Sequence, residues 1–543
     1  MKKKNLLKYI LLVSVIVGCK KQLDVKNPNQ PTPASATTEN GTVSLAQGSI
    51  LYNGFIGIKY GDGVYGPFWS GAMGFHEMMG DVVLAEAANA YINQIGCPEK
   101  VTYSDGTSRT NPNAPNTQRG LFKLANSNGN LGSNPLYYEW AFMYNMINGA
   151  NNTLSTVENT KFSGNAATKK SIIQAWAYFW KGFAYSRIGS SYYAGIITNS
   201  TSGTNGDYVT KEKIIDESNA NFDKAITILT SLTASNDYND FLGKLIPSSS
   251  QVVNGGILTP LMWVHNINTI KARNILVNTT VDKMTATQWN SILTLTNAGI
   301  TSTDKIFTGR SDANGDFIGN TVSAKTSAPA AGGNTYKLSE RWIQEFQPGD
   351  QRLANNVKQT ATWIGNSDRG NSFNTRYTLV NGGTGKAGVI VYANTALGAY
   401  ETVLGGNYEE NELMKAEAKL NTADLVGAAI SIDAVRAYQG AGLAALAGGT
   451  NTQTSLKEEL RRERRIALPF RGLSFYDARR MNVILDVSKG GGRTGAVVIK
   501  IDGTVSTNST INYNFIDYFD VPDNELAYNP PAAGSAPVVN PNN

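Results

Sequence analysis

LYYEWAFMYNMINGANNTLSTV, residues 136–157, decides the fold class. Trp140, Tyr144, Ile147, Asn151 and Leu154 recur at the i, i+4, i+7, i+11, i+14 spacing of one helical face. The next stretch, SIIQAWAYFWKGFAYSRIG (171–189), carries Ile172, Trp176, Phe179 and Phe183 on one stripe and Ile173, Trp180, Ala184 and Arg187 beside it. A helix that apolar around its girth is buried between neighbours. The spacing therefore predicts two long core helices.

Working outward, KEKIIDESNANFDKAITILTSL (211–232) and LTPLMWVHNINTIKARNILVN (258–278) read as two more helices. Later, NYEENELMKAEAKLN (407–421) carries Leu413, Ala416 and Leu420 on one face, and its helical setting predicts that Glu409, Glu410 and Glu412 form a solvated face. ADLVGAAISIDAVRAYQGAG (423–442) carries Ala428, Ile432 and Val435, with Gly440 as its stop. Helix pairs with small residues at contact points resemble tetratricopeptide-type hairpins, without a clean 34-residue repeat. Residues 91–135 and 301–407 are rich in Gly, Asn, Ser and Thr, the texture of long functional loops on a rigid frame.

The chain begins MKKKNLLKYILLVSVIVGC. Lys2, Lys3, Lys4 and Lys8 precede an apolar run from Tyr9 to Val17 that is too short to span a bilayer, which is the order of a secretory signal. Val15-Ile16-Val17-Gly18-Cys19 has small residues ahead of a cysteine and reads as a lipobox. Cys19 is the expected lipidation site, with palmitate-type chains whose buried methylenes contribute roughly 0.8 kcal/mol each. Residues 19–38 follow as a flexible Pro-, Asn-, Ser- and Thr-rich tether.

Of 543 residues, 48 are Lys or Arg and 42 Asp or Glu, a net charge of +6. Removing residues 1–18 takes four lysines and no acids, which leaves 44 against 42. The remaining +2 gives no nucleic-acid footprint. With Cys19 acylated, Cys97 is alone, so no intrachain disulfide is expected and stability rests on packing. Two histidines in the whole chain argue against a histidine-rich metal site. The 25 Tyr and 8 Trp suit stacking on sugar rings, and they serve equally as core filling.

Catalytic motifs fail on inspection. His76-Glu77-Met78-Met79 opens like a zinc-protease motif, but Gly80 stands where the second histidine belongs, and a polar helix start near Asp81 is expected instead. Asp312, Asn314 and Asp316 alternate like calcium ligands, but Phe317 and Ser323 occupy the positions that need Gly and Glu, so an Asn314-Gly315 turn is expected. GGTGKAG (382–388) lacks the Gly and Ser/Thr of a phosphate loop at Val380 and Ala387. No nucleophile constellation emerges, and no cofactor is implied.

The most distinctive stretch is LKEELRRERRIALPFRGLSFYDARRMN, residues 456–482. Leu456, Leu460, Glu463 and Ala467 share a face, while Arg461, Arg462, Arg464 and Arg465 crowd the rest. Glu458, Glu459, Glu463 and Asp477 are interleaved, so an internal ion-pair network is expected rather than a phosphate patch.

Taken with its companions, this stretch resembles the SusD/RagB family of outer-membrane nutrient-binding lipoproteins. Glu463, Arg464, Ala467, Phe470, Gly472, Asp477 and Arg480 fit its E-R-x-x-E/A-F-x-G pattern and the D-x-x-R that follows, interrupted by Pro469. Trp140 to Leu154 fit its early helix, Asn268, Thr269, Lys271, Ala272 and Arg273 its N-T-x-K-A-R element, and Glu410, Asn411, Glu412, Met414, Ala416, Glu417 and Ala418 its E-N-x-L-x-x-A-E-A helix. Asp433, Val435 and Arg436 resemble N-x-V-R with Asp for Asn. Val521, Pro522, Glu525, Asn529 and Pro530 fit the closing element.

The resemblance implies a mostly α fold, with tetratricopeptide-like hairpins packed beside an irregular loop-rich region. It places a single SusD-like domain at 39–530, with scaffold at about 136–300 and 408–482 and ligand region at about 60–135 and 301–407; by composition, residues 531–543 read as a disordered tail. It implies a lipid-anchored, surface-exposed outer-membrane subunit, not an enzyme, that delivers an oligosaccharide to a TonB-dependent, SusC-like transporter. Uptake of peptide or another nutrient is the alternative, followed by a surface glycoside hydrolase. Trp69, Tyr91, Tyr103, Phe317 and Trp363, aromatics in loop regions, are the expected ligand contacts.

Overall fold

The computed structural model describes residues 37–56, 58–59, 65–66, 68–85, 91–112, 114–310, 336–364, 374–396 and 398–543. The signal segment, most of the tether, Cys19, and the expected turn at Asn314 lie outside them.

Helices α1 (Glu39–Gln47), α2 (Gly74–Met79) and α3 (Gln118–Ala125) precede the long pair α4 (Pro135–Val157) and α5 (Ala166–Ser191). Next come α6 (Lys211–Leu229), α7 (Asn236–Leu245), α8 (Pro260–Val277) and α9 (Ala286–Asn297). The irregular middle holds the short α10 (Glu340–Ile343) and α11 (Gln351–Asn356). A second block follows: α12 (Tyr408–Asn421), α13 (Leu425–Tyr438), α14 (Gln453–Ala467) and α15 (Ser474–Arg480), with α16 (Asp523–Leu526) near the end. The architecture is mostly α. Among the described residues no helix is long and apolar enough to cross a membrane.

The helices start where side-chain chemistry permits. Asn134 accepts the Leu136 N–H at 3.1 Å, with Pro135 at the first helical position, where its missing N–H costs nothing. Thr285 and Gln288 form a reciprocal capping box on α9. On α5, Trp176, Phe179, Trp180 and Phe183 are all buried, as the doubled stripe predicts. Phe307 meets three of the core rings, Phe179, Trp180 and Trp263, at centroid distances of 5.0, 5.2 and 5.4 Å. Gly182 lets α6 close on α5: a Cβ there would stand 2.7 Å from the Phe222 ring.

Strands are short and serve mainly as clasps. β1 (Ile58–Lys59) pairs with β2 (Tyr65–Gly66), and β3 (Val83–Ala85) with β9 (Tyr336–Leu338). β6 (Ala194–Ile196) pairs with β7 (Tyr208–Thr210), β8 (Thr308–Arg310) with β12 (Glu401–Val403), and β10 (Val357–Ile364) with β11 (Thr375–Leu379). The larger sheet is antiparallel in the order β13 (Arg493–Ile499), β14 (Val505–Asn512), β4 (Lys100–Thr102), β5 (Ser108–Thr110).

The arginine-rich stretch is an internal network. Arg464 Nε meets Asp477 at 2.8 Å, and Arg480 holds Asp477 at 2.7 Å and Glu417 at 2.6 Å. Arg465 donates to the carbonyls of Gly80 and Asp81, and Arg436 reaches Glu463 at 3.1 Å. Arg352, wholly buried on α11, joins Asp350 and Glu463.

Three expectations need correction. Glu409, Glu410 and Glu412 are buried rather than solvated, because each has a cation to meet: Arg471 at 2.9 Å, Arg273 at 2.5 Å and Lys415 at 2.5 Å. His76 and Glu77 do not open a polar helix start. Both are wholly buried within α2, His76 against Glu139 and Glu77 beneath the backbone N–H groups of Gly472 and Leu473. The tail at 531–543 is ordered. The amides of Ala532 and Ala536 donate to Gly206 and Tyr208, Val521 donates to Val538, and Asn540 is 1 % exposed. Its composition offers little apolar surface, but hydrogen bonds to an already folded body hold it.

Candidate functional site

The helix pair α12–α13 buries its stripes, with Leu413, Ala416, Leu420, Ala428, Ile432 and Val435 in the core. The aromatic residues at its two ends are left off those stripes. Tyr408 is the first residue of α12, whose cap Asn407 accepts the Glu410 N–H at 2.9 Å. Tyr438 is the last residue of α13, before Gly440 turns the chain at φ +69°. Their rings meet edge to face, with centroids 4.9 Å apart at 62°. Tyr438 is 39 % exposed and donates its hydroxyl to Asn254 Oδ1 at 3.2 Å.

Opposite stands the β8–β12 clasp, which brings residues 308–310 and 401–403 into one wall. Glu401 accepts from the Gly255 N–H at 2.7 Å and the Asn254 side chain at 2.9 Å, and lies 3.3 Å from Arg310 Nη2. Arg310 is buried and donates to the Gly398 carbonyl at 2.7 Å. Tyr400, half-buried, precedes Glu401. At the rim His265 Nδ1 is 2.8 Å from Asp304, which also accepts the Thr301 N–H. At the floor Glu409 pairs with Arg471 and accepts from Gln439 Nε2 at 3.1 Å.

These walls enclose a cavity of about 450 Å³, lined also by Asn394 and by residues 388–391. That volume and its mix of rings with a few convergent polar groups suit a small ligand. Burial pushes the Tyr408 hydroxyl up to about 12 and that of Tyr400 higher still, so both are neutral hydrogen-bonding phenols. Burial opposes ionisation of Glu409, but Arg471 and Gln439 hold its carboxyl below the usual range, as suits an ion pair rather than a general acid. No group of three or more His, Cys, Asp or Glu among the described residues is placed to hold a metal ion. The arrangement can stack on a flat apolar ring face while amides, phenols and Glu401 meet hydroxyls.

The aromatics expected from sequence stand elsewhere. Trp69 is wholly buried, edge-on to Tyr336 at 5.1 Å and donating to the Phe470 carbonyl at 2.8 Å, so it offers no face to a ligand. Tyr91 is half-buried against the core margin, and Tyr103 lies under the Lys500 ammonium, 4.6 Å from its ring centroid. Neither lines the cavity. Trp363 belongs to β10, and Phe317 falls outside the described residues. Sequence reasoning missed Tyr400, Tyr408 and Tyr438. Tyr408 opens α12 and Tyr438 closes α13, while Tyr400 lies in the irregular insert just before β12, so no single local pattern marks the three.

No family model matches this sequence, and no curated protein matches it. Solved structures do. A SusD-like carbohydrate binding protein from Bacteroides fragilis superposes with a TM-score of 0.59 at 15% identity, over 92% of this chain and 99% of that one. A SusD superfamily protein from Bacteroides vulgatus gives 0.55 at 14% identity, over 92% and 97%. A SusD-like carbohydrate binding protein from the same organism gives 0.55 at 13% identity, over 92% and 98%. Likeness along nearly the full length of both chains establishes that this chain has the SusD-like fold.

Proposed function

We propose that this chain is a carbohydrate-binding protein that captures an oligosaccharide between Tyr400, Tyr408 and Tyr438 without chemical change, and passes it to a TonB-dependent outer-membrane transporter. The observation that carries the reading is the cavity itself, where three tyrosines face Asn254, Asn394 and Glu401 on elements fixed by the fold. Two of the structures with this fold are described as carbohydrate binding. The lipobox ending at Cys19 supports lipid attachment of the mature chain to a membrane, and the family resemblance is what points to the outer membrane and the cell surface.

The test is calorimetric titration of the purified chain from Lys20 onward against a broad panel of neutral and acidic glycans, with peptide pools alongside. Saturable heat with at least one glycan, and no new reducing ends, is expected. Heat with peptides alone moves the assignment to peptide capture, and release of reducing ends replaces binding by hydrolysis. For the anchor, Cys19→Ala should move the protein from the membrane to the soluble fraction. For the partner, a β-barrel transporter should co-purify with the detergent-extracted wild type.

A further inference from the structure

A second cavity, of about 610 Å³, adjoins the first. Val389 lines both, and the segment from Lys386 to Ile390 runs between them as a strap. The strap is fixed at both ends. Asn355 Oδ1 accepts the N–H groups of Thr384 at 3.0 Å and Lys386 at 3.1 Å, while Asn356 Nδ2 donates to the Ile390 carbonyl at 2.8 Å. Ile390 in turn donates to the Gln439 carbonyl at 3.1 Å, which ties the strap to the end of α13.

No passage runs beneath it there. A Cβ on Gly440 would stand 2.2 Å from the Gly388 carbonyl oxygen, so strap and helix end touch backbone to backbone. The way from one cavity to the other lies over the crest. Lys386, Ala387 and Gly388 are exposed there, and two of the three have almost no side chain. The far wall carries small residues as well, Ala437, Gly440, Gly442 and Ala445, beside the larger Asp433, Arg436 and Leu443. Polar groups stand at the edges, with Gln351 and Lys386 among the lining residues. Among the described residues the Lys386 ammonium makes no ion pair, and it is available to a ligand oxygen.

We infer that the two cavities form one extended groove, and that its ligand is an oligosaccharide whose further sugar units cross the Ala387-Gly388 crest into the second cavity. This inference rests on the carbohydrate reading of the first cavity. It assigns the small residues of the strap and of the α13 end a purpose: they keep the ridge low enough for a sugar chain to pass.

The experiment is titration of the full mature chain with ladders of malto-, xylo- and manno-oligosaccharides, from the disaccharide to the heptasaccharide. Affinity should rise by about tenfold or more along the ladder that binds, equivalent to about 1.4 kcal/mol or more. Ala445→Trp, which fills the second cavity, should remove the gain while leaving the short members bound as before. Ala387→Trp, which raises the crest, should do the same and covers the case in which the first variant folds poorly. Affinity that is flat with chain length, or a gain that survives in both folded variants, overturns the extended groove and leaves the tyrosine site standing. If no ladder and no glycan of the wider panel binds, both readings fall together.

Discussion

Arg480 forks onto Glu417, with its two terminal nitrogens 2.6 and 2.8 Å from the two carboxylate oxygens, across 63 residues of sequence. Its Nε takes Asp477 at 2.7 Å, and both Arg480 and Glu417 are buried. The contact ties α15 to α12, the helix that presents Tyr408.

Removing one member of such a pair leaves an uncompensated charge in the interior. Arg480→Ala should therefore destabilise the fold by about 3–5 kcal/mol, seen as a lower urea midpoint. Replacing both partners, as Glu417→Met with Arg480→Met, should cost clearly less than the sum of the single changes, because no buried charge is then stranded. Equal costs for the double variant and that sum would show that the pair is not coupled.

The same relationship explains how much of the fold was legible. The residues that carried the family resemblance turn out to be one another's partners. Arg273 bonds Glu410 through two nitrogens at 2.5 Å, Arg436 reaches Glu463 at 3.1 Å, and the Trp140 indole N–H donates to Glu525 at 3.0 Å. Periodicity placed the helices, since burial of a stripe leaves its mark on every third or fourth residue. It could not tell a solvated acid from a buried one, because Glu409 and Glu410 meet cations remote in sequence, Arg471 from the loop before α15 and Arg273 from α8, while Glu412 pairs with Lys415 on its own helix. Nor could it find the cavity. Tyr400, Tyr408 and Tyr438 converge through the β8–β12 clasp and two helix ends, a relation between segments that no local pattern records.

On the proposed carbohydrate reading, Tyr408 and Tyr438 act as one aromatic platform. Tyr438→Ala and Tyr408→Ala should each weaken glycan binding by about 1–2 kcal/mol, roughly tenfold, measured by calorimetry on the best ligand of the panel. Tyr438 is the cleaner test, since its ring is partly in solvent and makes a single side-chain hydrogen bond, to Asn254. Its loss should leave the thermal midpoint nearly unchanged. Tyr438→Phe keeps the ring and should retain most of the affinity. Undiminished binding in both alanine variants would remove the platform from the site.

Glu77 makes stability depend on pH in an unusual direction. Burial pushes its carboxyl up to about 7, against the opposing hydrogen bonds from Gly472 and Leu473. Its value in the unfolded chain is about 4.3, so between about 4.3 and 7 the native state binds the extra proton. The contribution of Glu77 is thus full below about 4.3 and is lost as pH rises through 7. His76 slopes the other way over part of this range, because burial, only partly offset by Glu139, lowers its pKa. Glu139, held at about 2 by Arg187 and His76 despite its burial, matters only in acid, where its contribution is lost as pH falls. Comparison with Glu77→Gln separates these effects. Relative to wild type, the variant should gain stability as pH goes from about 4.5 to about 8, followed through urea midpoints. A constant difference over that range would show that Glu77 does not titrate there.

The final segment tests whether a polar tail can be part of a fold. Asn540 is buried, and its side-chain amide donates to Asp517 at 2.7 Å and to the Tyr518 carbonyl at 2.8 Å, while its backbone N–H meets Asp520 at 2.7 Å. Asn540→Ala keeps the backbone bond but strips two partners of their donor, one of them a carboxylate. Together these should cost about 2–3 kcal/mol. Truncation after Pro530 removes the backbone bonds of Ala532, Ala536 and Val538 as well, and bares the segment around Tyr208 and Val521. It should lower the thermal midpoint further than the point change does. Faster amide exchange at Val521 in the truncated chain would locate the effect, because its N–H donates to the Val538 carbonyl that the truncation removes. If the truncated protein unfolds at the same temperature as the whole chain, these hydrogen bonds merely exchange with water, and the tail is an attachment rather than a member of the fold.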